Sequence, residues 1–453
     1  MSCDWPLVRL GEVVEITSSK RIKRADYVTS GVPFFRSKEV IERSKGNDIS
    51  TELFISEEQF SKILGKFGVP KAGDILLTSV GTLGVPYQVL STDRFYFKDG
   101  NLTWLRNYNN SVIPGYIFYW LTSPTAQQKL DEVSIGSTQK ALTIVALKSV
   151  ELPVPPKDTQ ERIVSVVSTL DQKLEINRKI NQTLEQMAQA IFKSWFVDFD
   201  PVKAKIAALE AGGSQEDATL AAMQAISGKD QAQLTQLRAE NSEQYSELRT
   251  TAELFPSAMQ DSELGEVPEG WKIISFSNWA NIQRGKSITK AKTKPGKVPV
   301  VAGGIEPAYY HKEHNVVGPV ITISASGANA GYVNLYYQNI WSSDSSYICK
   351  QSAPYFYIAY ICLKYHQKAI FDMQTGAAQP HIYPKDFERL KIVVGGNKLM
   401  EKLEKQTSSF FAKSKFLNNE YVSLTQLRDT LLPKLLSGEL SVAPSVLKME
   451  SSS

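Results

Sequence analysis

The sequence predicts an α+β protein in which one β-rich domain occurs twice and two long helices pair as an antiparallel coiled coil between the copies. Three observations carry that prediction. The chain matches itself at two fixed offsets, each copy is built of short β-type runs, and each copy ends in a helical stretch with a heptad seam. The expected division is residues 1–156 for the first domain, 157–199 for the first long helix and 200–265 for a central linker with a helical insert. The second domain follows over 266–397, the second long helix over 398–440 and a tail over 441–453.

The repeat comes first. Trp5 and Trp271 open similar segments 266 positions apart. At that offset Ile16 matches Ile282, Lys20 matches Lys286, and Val32-Pro33 matches Val298-Pro299. Later the offset shrinks to 240, where Gly136 matches Gly376, Gln139 matches Gln379, and Val150–Val154 aligns with Leu390–Val394. Within each copy, runs such as Ile75-Leu76-Leu77-Thr78 and Val320-Ile321-Thr322-Ile323-Ser324 sit between Gly, Pro and Asn and read as strands.

The helices follow. Ile163, Val167, Leu170, Leu174, Leu184, Ala188, Ile191 and Trp195 recur at steps of three and four, with Asn177 and Asn181 at the middle steps. Leu403, Phe410, Leu417, Tyr421, Leu424, Leu431 and Leu435 fit the same spacing in the second copy. Such stripes can bury against each other, and polar seam residues set register at a cost in stability. The alternative is that each stripe packs on its own domain. A helix of roughly 36 residues is about 54 Å long. Between the copies, an Ala-, Gln- and Glu-rich stretch over 205–253 is expected to form two or three amphipathic helices. Their apolar faces, with Ile206, Leu209, Leu220, Met223, Ile226, Leu234 and Leu237, need something to dock on.

Net charge is only +4, so its distribution matters more than its total. Lys20, Arg21, Lys23 and Arg24 cluster in the first copy; Lys286, Lys290, Lys292, Lys294 and Lys297 cluster at the equivalent place in the second. Charge runs are commonly solvated faces. Two basic clusters at matching positions of a repeat point instead to DNA phosphates. Two polar loops also recur, Ser134–Lys140 with Thr138, Gln139 and Lys140, and Gln374–His381 with Gln379 and His381. Gln can pair with adenine and Lys with guanine or phosphate; a plain polar turn is the alternative reading.

Catalytic readings are weaker. Ala280–Ser287 fits the loose [AG]xxxxGK[ST] phosphate-loop pattern, but it holds one glycine and follows a poor candidate for a buried strand. His311 and His314 lie near Glu313, too few ligands for a zinc site. Asp386–Lys391 loosely resembles a nuclease carboxylate–lysine set at a position where the repeat places a turn. No methyltransferase cofactor loop or Asn-Pro-Pro-Phe-type tetrapeptide is present. No catalytic residue and no metal ligand is therefore assigned. A self-contained nuclease or NTPase is the alternative function, and an acidic DNA mimic is opposed by the basic clusters. Three cysteines without a CxxC pair suggest a reducing, cytoplasmic compartment. The first residues do not read as a signal peptide, and no apolar run approaches a membrane span.

One family resembles these residues closely. Phe196-Val197-Asp198-Phe199-Asp200-Pro201-Val202-Lys203-Ala204-Lys205, Glu253–Ser257, Asp261–Trp271 and Leu431–Leu440 are similar to segments of type I restriction–modification specificity (S) subunits, over about residues 5 to 440. The resemblance implies two target-recognition domains, each reading one half of an asymmetric bipartite double-stranded DNA target, with the long helices as spacer. It implies two modification (methyltransferase) subunits and restriction (translocase–nuclease) subunits as partners, and no membrane. This chain would be non-catalytic in an adenine methyltransferase/endonuclease complex and bind no cofactor itself; S-adenosylmethionine, ATP and Mg would be used by the partner subunits. Recognition loops vary within the family, so the candidate contact residues rest on charge and repeat position alone.

Overall fold

The computed structural model describes residues 5–47, 49, 51–136, 140–376 and 379–442. The chain divides into two compact units, residues 1–178 with 419–453, and residues 179–418. The division falls inside both long helices, Lys157–Phe196 and Asn397–Leu436, so each unit owns part of each.

In the first unit the strands are β1 (Leu7–Arg9), β2 (Glu15–Thr17), β3 (Tyr27–Val28), β4 (Val32–Phe35), β5 (Phe54–Ile55), β6 (Ile75–Thr78), β7 (Pro86–Gln88), β8 (Tyr96–Phe97), β9 (Leu102–Arg106) and β10 (Glu151–Pro153). β6 is buried at every position, and four of the five residues of β9 are buried. Such continuous apolar or β-branched runs belong in the middle of a sheet covered on both faces. They form the centre of the antiparallel order β2-β9-β6-β7. A second sheet, β3-β5-β4-β8, contains one parallel pair, β4 with β8. β1 pairs antiparallel with β10, closing the domain on itself.

The second unit repeats this plan. Its strands are β11 (Met259–Gln260), β12 (Val267–Pro268), β13 (Lys272–Ser275), β14 (Gln283–Arg284), β15 (Val298–Val301), β16 (Tyr309–His311), β17 (Val320–Ser324), β18 (Val333–Tyr336), β19 (Trp341–Ser342), β20 (Ser345–Cys349) and β21 (Lys391–Val394). The order β14-β20-β17-β18 reproduces β2-β9-β6-β7. β15 pairs parallel with β19 as β4 does with β8, and β13 pairs antiparallel with β21 as β1 does with β10. The α+β repeat expected from the sequence is therefore a repeat of topology and not of composition alone.

Within each unit the two long helices run antiparallel. In the first, Arg428 Nη1 lies 3.0 Å from Asp171 Oδ1, and Asn177 Nδ2 donates to Glu420 Oε2 at 2.7 Å. Ile163, Val167, Leu432, Leu435 and Leu436 share one core with the sheet domain. In the second, Ala188, Phe192, Leu403 and Phe411 share a core with theirs. The helices thus pair with each other and also pack on their own domain. Asn177 is fully buried, and its Oδ1 has no hydrogen-bond partner. That matches its place in the seam. The second seam departs from expectation at three residues, the first being Leu431, whose neighbour Leu432 is the buried leucine. Tyr421 is 40% exposed, and Phe411, not Phe410, is the buried aromatic. In the second unit Phe411 stacks on Tyr357 at 4.7 Å and meets Tyr360 edge-on. Packing on the domain recruits that position and pulls the buried stripe off the heptad.

The central segment forms four helices, Asp200–Glu210, Gln215–Ser227, Gln231–Glu240 and Ser242–Glu253, where two or three were expected. The extra boundary is local chemistry. Asn241 accepts the Gln244 amide at 3.0 Å and caps a new start. The last three share a small core of Ala222, Met223, Leu234 and Ala252, while the first buries Val202 in the main core of the second unit, against which Ile206 and Ile226 also pack. Lys205 Nζ, in a buried residue, donates to the Phe255 carbonyl at 2.6 Å, and burial pulls this lysine's pKa down. Phe196 stacks on Trp271 at 5.1 Å, Phe199 meets Trp271 edge-on, and Trp195 meets Phe255 edge-on. Phe199 takes a left-handed backbone (φ 57°) to turn the chain from the long helix into the first central helix. The Phe-Val-Asp-Phe-Asp-Pro-Val segment is thus an aromatic knot tying the long helix, the central helices and the start of the second domain.

Candidate nucleic-acid interface

β2 and β6 both run antiparallel to β9, so their C-terminal ends lie at the same end of the sheet. Thr17 faces Trp104, and Thr78 faces Leu102, where β9 begins. Lys20, Arg21, Lys23 and Arg24 leave β2 at that end, all exposed. The polar loop leaves the same end. Ile135 and Ala141 exchange backbone hydrogen bonds of 3.0 and 2.8 Å, and the Leu142 amide donates to Ser79 just beyond β6. Gly136, at φ 97°, turns the hairpin in a conformation other residues resist. The same end of the sheet thus carries the basic segment beyond β2 and the polar hairpin bonded to the residue beyond β6.

The second domain builds the same end. Thr375 and His381 exchange bonds of 2.9 and 2.8 Å, Gly376 has φ 95°, and the Ile382 amide donates to Ala325 beyond β17. Lys286, Lys290, Lys292, Lys294 and Lys297 follow β14 and are exposed. The short 3-10 turns Arg24–Asp26 and Lys290–Lys292 occupy matching places in the two basic segments. The two clusters therefore sit at equivalent positions of the fold.

Individual residues differ in how free they are. Among the described residues, no carboxylate pairs with Lys20, Arg21, Lys23, Arg24, Lys286, Lys290, Lys292 or Lys297. Lys20 Nζ lies 4.9 Å over the Phe67 ring, and its amide donates to the Tyr96 hydroxyl at 2.7 Å, which fixes the start of the segment. Burial lifts the Tyr96 phenol above its ordinary range, so it stays protonated. Lys294 lies 3.6 Å from Glu313, and Lys140 is paired with Asp131, so neither is a free cation. Thr138 and Gln139 lie outside the described residues. Gln379 is exposed, and the His381 ring stacks on Tyr383 at 6.0 Å.

Four further residues at this end of the second domain escaped the sequence reading. Arg284 Nη2 lies 2.8 Å from Asp344 Oδ1, and the Ser326 hydroxyl donates to Asp344 Oδ2. The Arg284 guanidinium also lies 5.6 Å from the centre of the Tyr383 ring. Arg284 stands only two positions before Lys286. Its partner is 60 residues away and is brought to it by strand pairing, which no local pattern reveals.

The catalytic readings dissolve in the same geometry. A phosphate loop needs free backbone N–H groups, but Gly285 N donates to Ser345 O at 2.9 Å and Lys286 N to Ser342 O at 2.8 Å. Gly285 is required because the Ser342 carbonyl would lie 2.6 Å from any Cβ placed there. His311 is buried, with Nδ1 accepting the Lys294 amide at 2.9 Å, and among the described residues no group of three or more His, Cys, Asp or Glu gathers as a metal site. Asp386 accepts the Tyr383 amide at 2.8 Å, Phe387 is fully buried and Lys391 Nζ reaches Ser275, so the nuclease-like run is a turn. Among the described residues, no helix is long and apolar enough to cross a membrane.

Comparison with known proteins agrees with the repeat. The type I restriction modification DNA specificity domain matches twice, over residues 3–186 and 268–394. The chain belongs to the type I restriction–modification specificity family. It is 31% identical over 407 residues to the HindI specificity subunit of Haemophilus influenzae, covering 82% of this chain and 87% of that one. It is 24% identical over an alignment of 483 residues to the MjaIX specificity subunit of Methanocaldococcus jannaschii, covering 97% and 94%. A solved S subunit from M. genitalium shares the fold, with a TM-score of 0.51 at 17% identity over 95% of this chain and 96% of that one. Nothing in these likenesses favours the nuclease or NTPase alternative.

Proposed function

We propose that this specificity subunit reads an asymmetric bipartite site in double-stranded DNA, one half with each domain, and directs partner subunits to methylate or cleave. One observation carries the reading: the same sheet end occurs in both domains, flanked each time by an exposed basic segment and a polar hairpin, but with different side chains. Backbone cations set position and affinity, while hairpin and sheet-end side chains discriminate bases. Different side chains on one scaffold select different half-sites, hence an asymmetric target.

The partners are two modification (methyltransferase) subunits and restriction (translocase–nuclease) subunits. S-adenosylmethionine, ATP and Mg serve those subunits, and the methylated base is adenine. The chain's own residues bind and orient DNA; the basic segments, hairpins and sheet ends lie in the domains and perform no bond-breaking step. The test is reconstitution. The purified chain should neither methylate nor cleave DNA, and methylation should appear once modification subunits and S-adenosylmethionine are added. Sequencing the methylated positions in the genome should then return one two-part motif. Methyl transfer by the chain alone, or a motif without two halves, would overturn the reading.

A further inference from the structure

The two sheet ends can be superimposed residue by residue through their hydrogen bonds. The Ser79 amide donates to Asn101 as the Ala325 amide does to Asp344, so Asn101 and Asp344 are equivalent. The bridge Val80–Ala141 corresponds to Ser326–His381. Thr143 and Tyr383 stand two residues after Ala141 and His381, each opening a helical turn. Thr17 opposite Trp104 matches Gln283 opposite Tyr347, which makes Ser18 the counterpart of Arg284.

Five equivalent positions thus hold Ser18, Val80, Asn101, Ala141 and Thr143 in the first domain. In the second they hold Arg284, Ser326, Asp344, His381 and Tyr383. The first set closes the same sheet without charge, so the fold does not require the second set. The second set is also connected. Asp344 receives Arg284 and the Ser326 hydroxyl, and Tyr383 lies between the guanidinium and His381. The Arg284 and Asp344 side chains each keep 38% of their surface exposed, so the pair stays open to a ligand. The bond to Asp344 engages one nitrogen of the guanidinium, leaving several of its five N–H donors for a ligand.

We infer that Arg284, positioned by Asp344 and Tyr383, reads a guanine in the half-site contacted by the second domain. A guanidinium held in plane can donate twice to the O6 and N7 of guanine, the commonest specific base contact. Asp344 and Tyr383 remove rotamers that a free arginine would lose on binding. A lysine in its place can still reach guanine, but as a flexible point charge it lacks the rigid planar fork that Asp344 and Tyr383 orient. This inference rests on the DNA-reading role proposed above.

The experiment is selection of bound sequences from a random DNA library by the full-length chain, comparing wild type with Arg284→Lys and Arg284→Ala. The wild type should enrich a two-part motif with a guanine in one half. Arg284→Ala should lose preference at that one position and Arg284→Lys should relax it; both should keep the other half and the remaining bases, and Arg284→Ala should bind the parent target roughly 5- to 150-fold more weakly. An unchanged motif in the variants overturns the inference. So does loss of the entire half in Arg284→Lys, which would make the residue a brace. Failure of the wild type to enrich any two-part motif overturns the DNA-reading role itself, and that result does not depend on the variants.

Discussion

Replacing Lys20, Arg21, Lys23 and Arg24 together with alanine isolates the electrostatic part of binding by the first domain. All four side chains are exposed, and among the described residues none pairs with a carboxylate. Their removal therefore breaks no ion pair inside the domain, although it does take away the Lys20 ammonium that sits over the Phe67 ring. Each phosphate neutralised on duplex DNA contributes about 0.9 to the slope of log binding constant against log salt. Four such phosphates contribute about 3.6. Over a fourfold rise in salt, from about 50 to about 200 mM, the wild type should lose roughly 150-fold more affinity than the variant. Fluorescence anisotropy titrations at several salt concentrations give the two slopes directly. Lys140→Ala serves as the contrast, because Lys140 already pairs with Asp131 and its loss should move the slope by less than about 1. A fourfold variant with the wild-type slope would show the cluster to be a solvated face and would refute the reasoning.

Three further outcomes are expected. Asn177→Leu removes a fully buried amide whose Oδ1 has no partner; urea unfolding should shift to higher stability by about 1 kcal/mol, and a lower midpoint would mean that its bond to Glu420 outweighs the orphaned oxygen. Burial alone would raise the pKa of Glu39, but hydrogen bonds from the Arg36 side chain and backbone outweigh it and hold this carboxyl below its ordinary value of 4.5. Its contribution is thus fully present above that value and is lost as pH falls through the lower folded one. Glu39→Gln should cost about 2 kcal/mol at neutral pH and flatten part of the acid unfolding profile; a profile unchanged in both respects would count against the pair. Gly285→Ala should lower the stability of the second domain by about 2 kcal/mol, since the Ser342 carbonyl blocks a Cβ. A thermally unaltered variant would contradict the close approach that replaces the phosphate-loop reading.

Local order along the chain made several things legible. The strand runs at Ile75–Thr78 and Val320–Ser324 and the buried stripe Ile163, Val167, Leu174 and Ala188 are set by neighbours a few residues apart, and the repeat is read by comparing two such local patterns at offsets of 266 and 240. Side-chain periodicity alone decides which face of such an element is buried. The Phe196–Lys205 segment marked the family for the same reason: its aromatics and its Asp-Pro helix start are contiguous. Tertiary structure decided what depends on partners far apart in sequence. It moved the second seam from Phe410 to Phe411 because Tyr357 and Tyr360 lie across from it. It separated free cations from paired ones by bringing Glu313 to Lys294 and Asp131 to Lys140. It assembled Arg284, Ser326, Asp344 and Tyr383 at one sheet end from four separate segments. Periodicity records how much of a residue is buried, whereas pairing between charged or aromatic groups depends on strand register and sheet order, and those are settled only when distant segments meet.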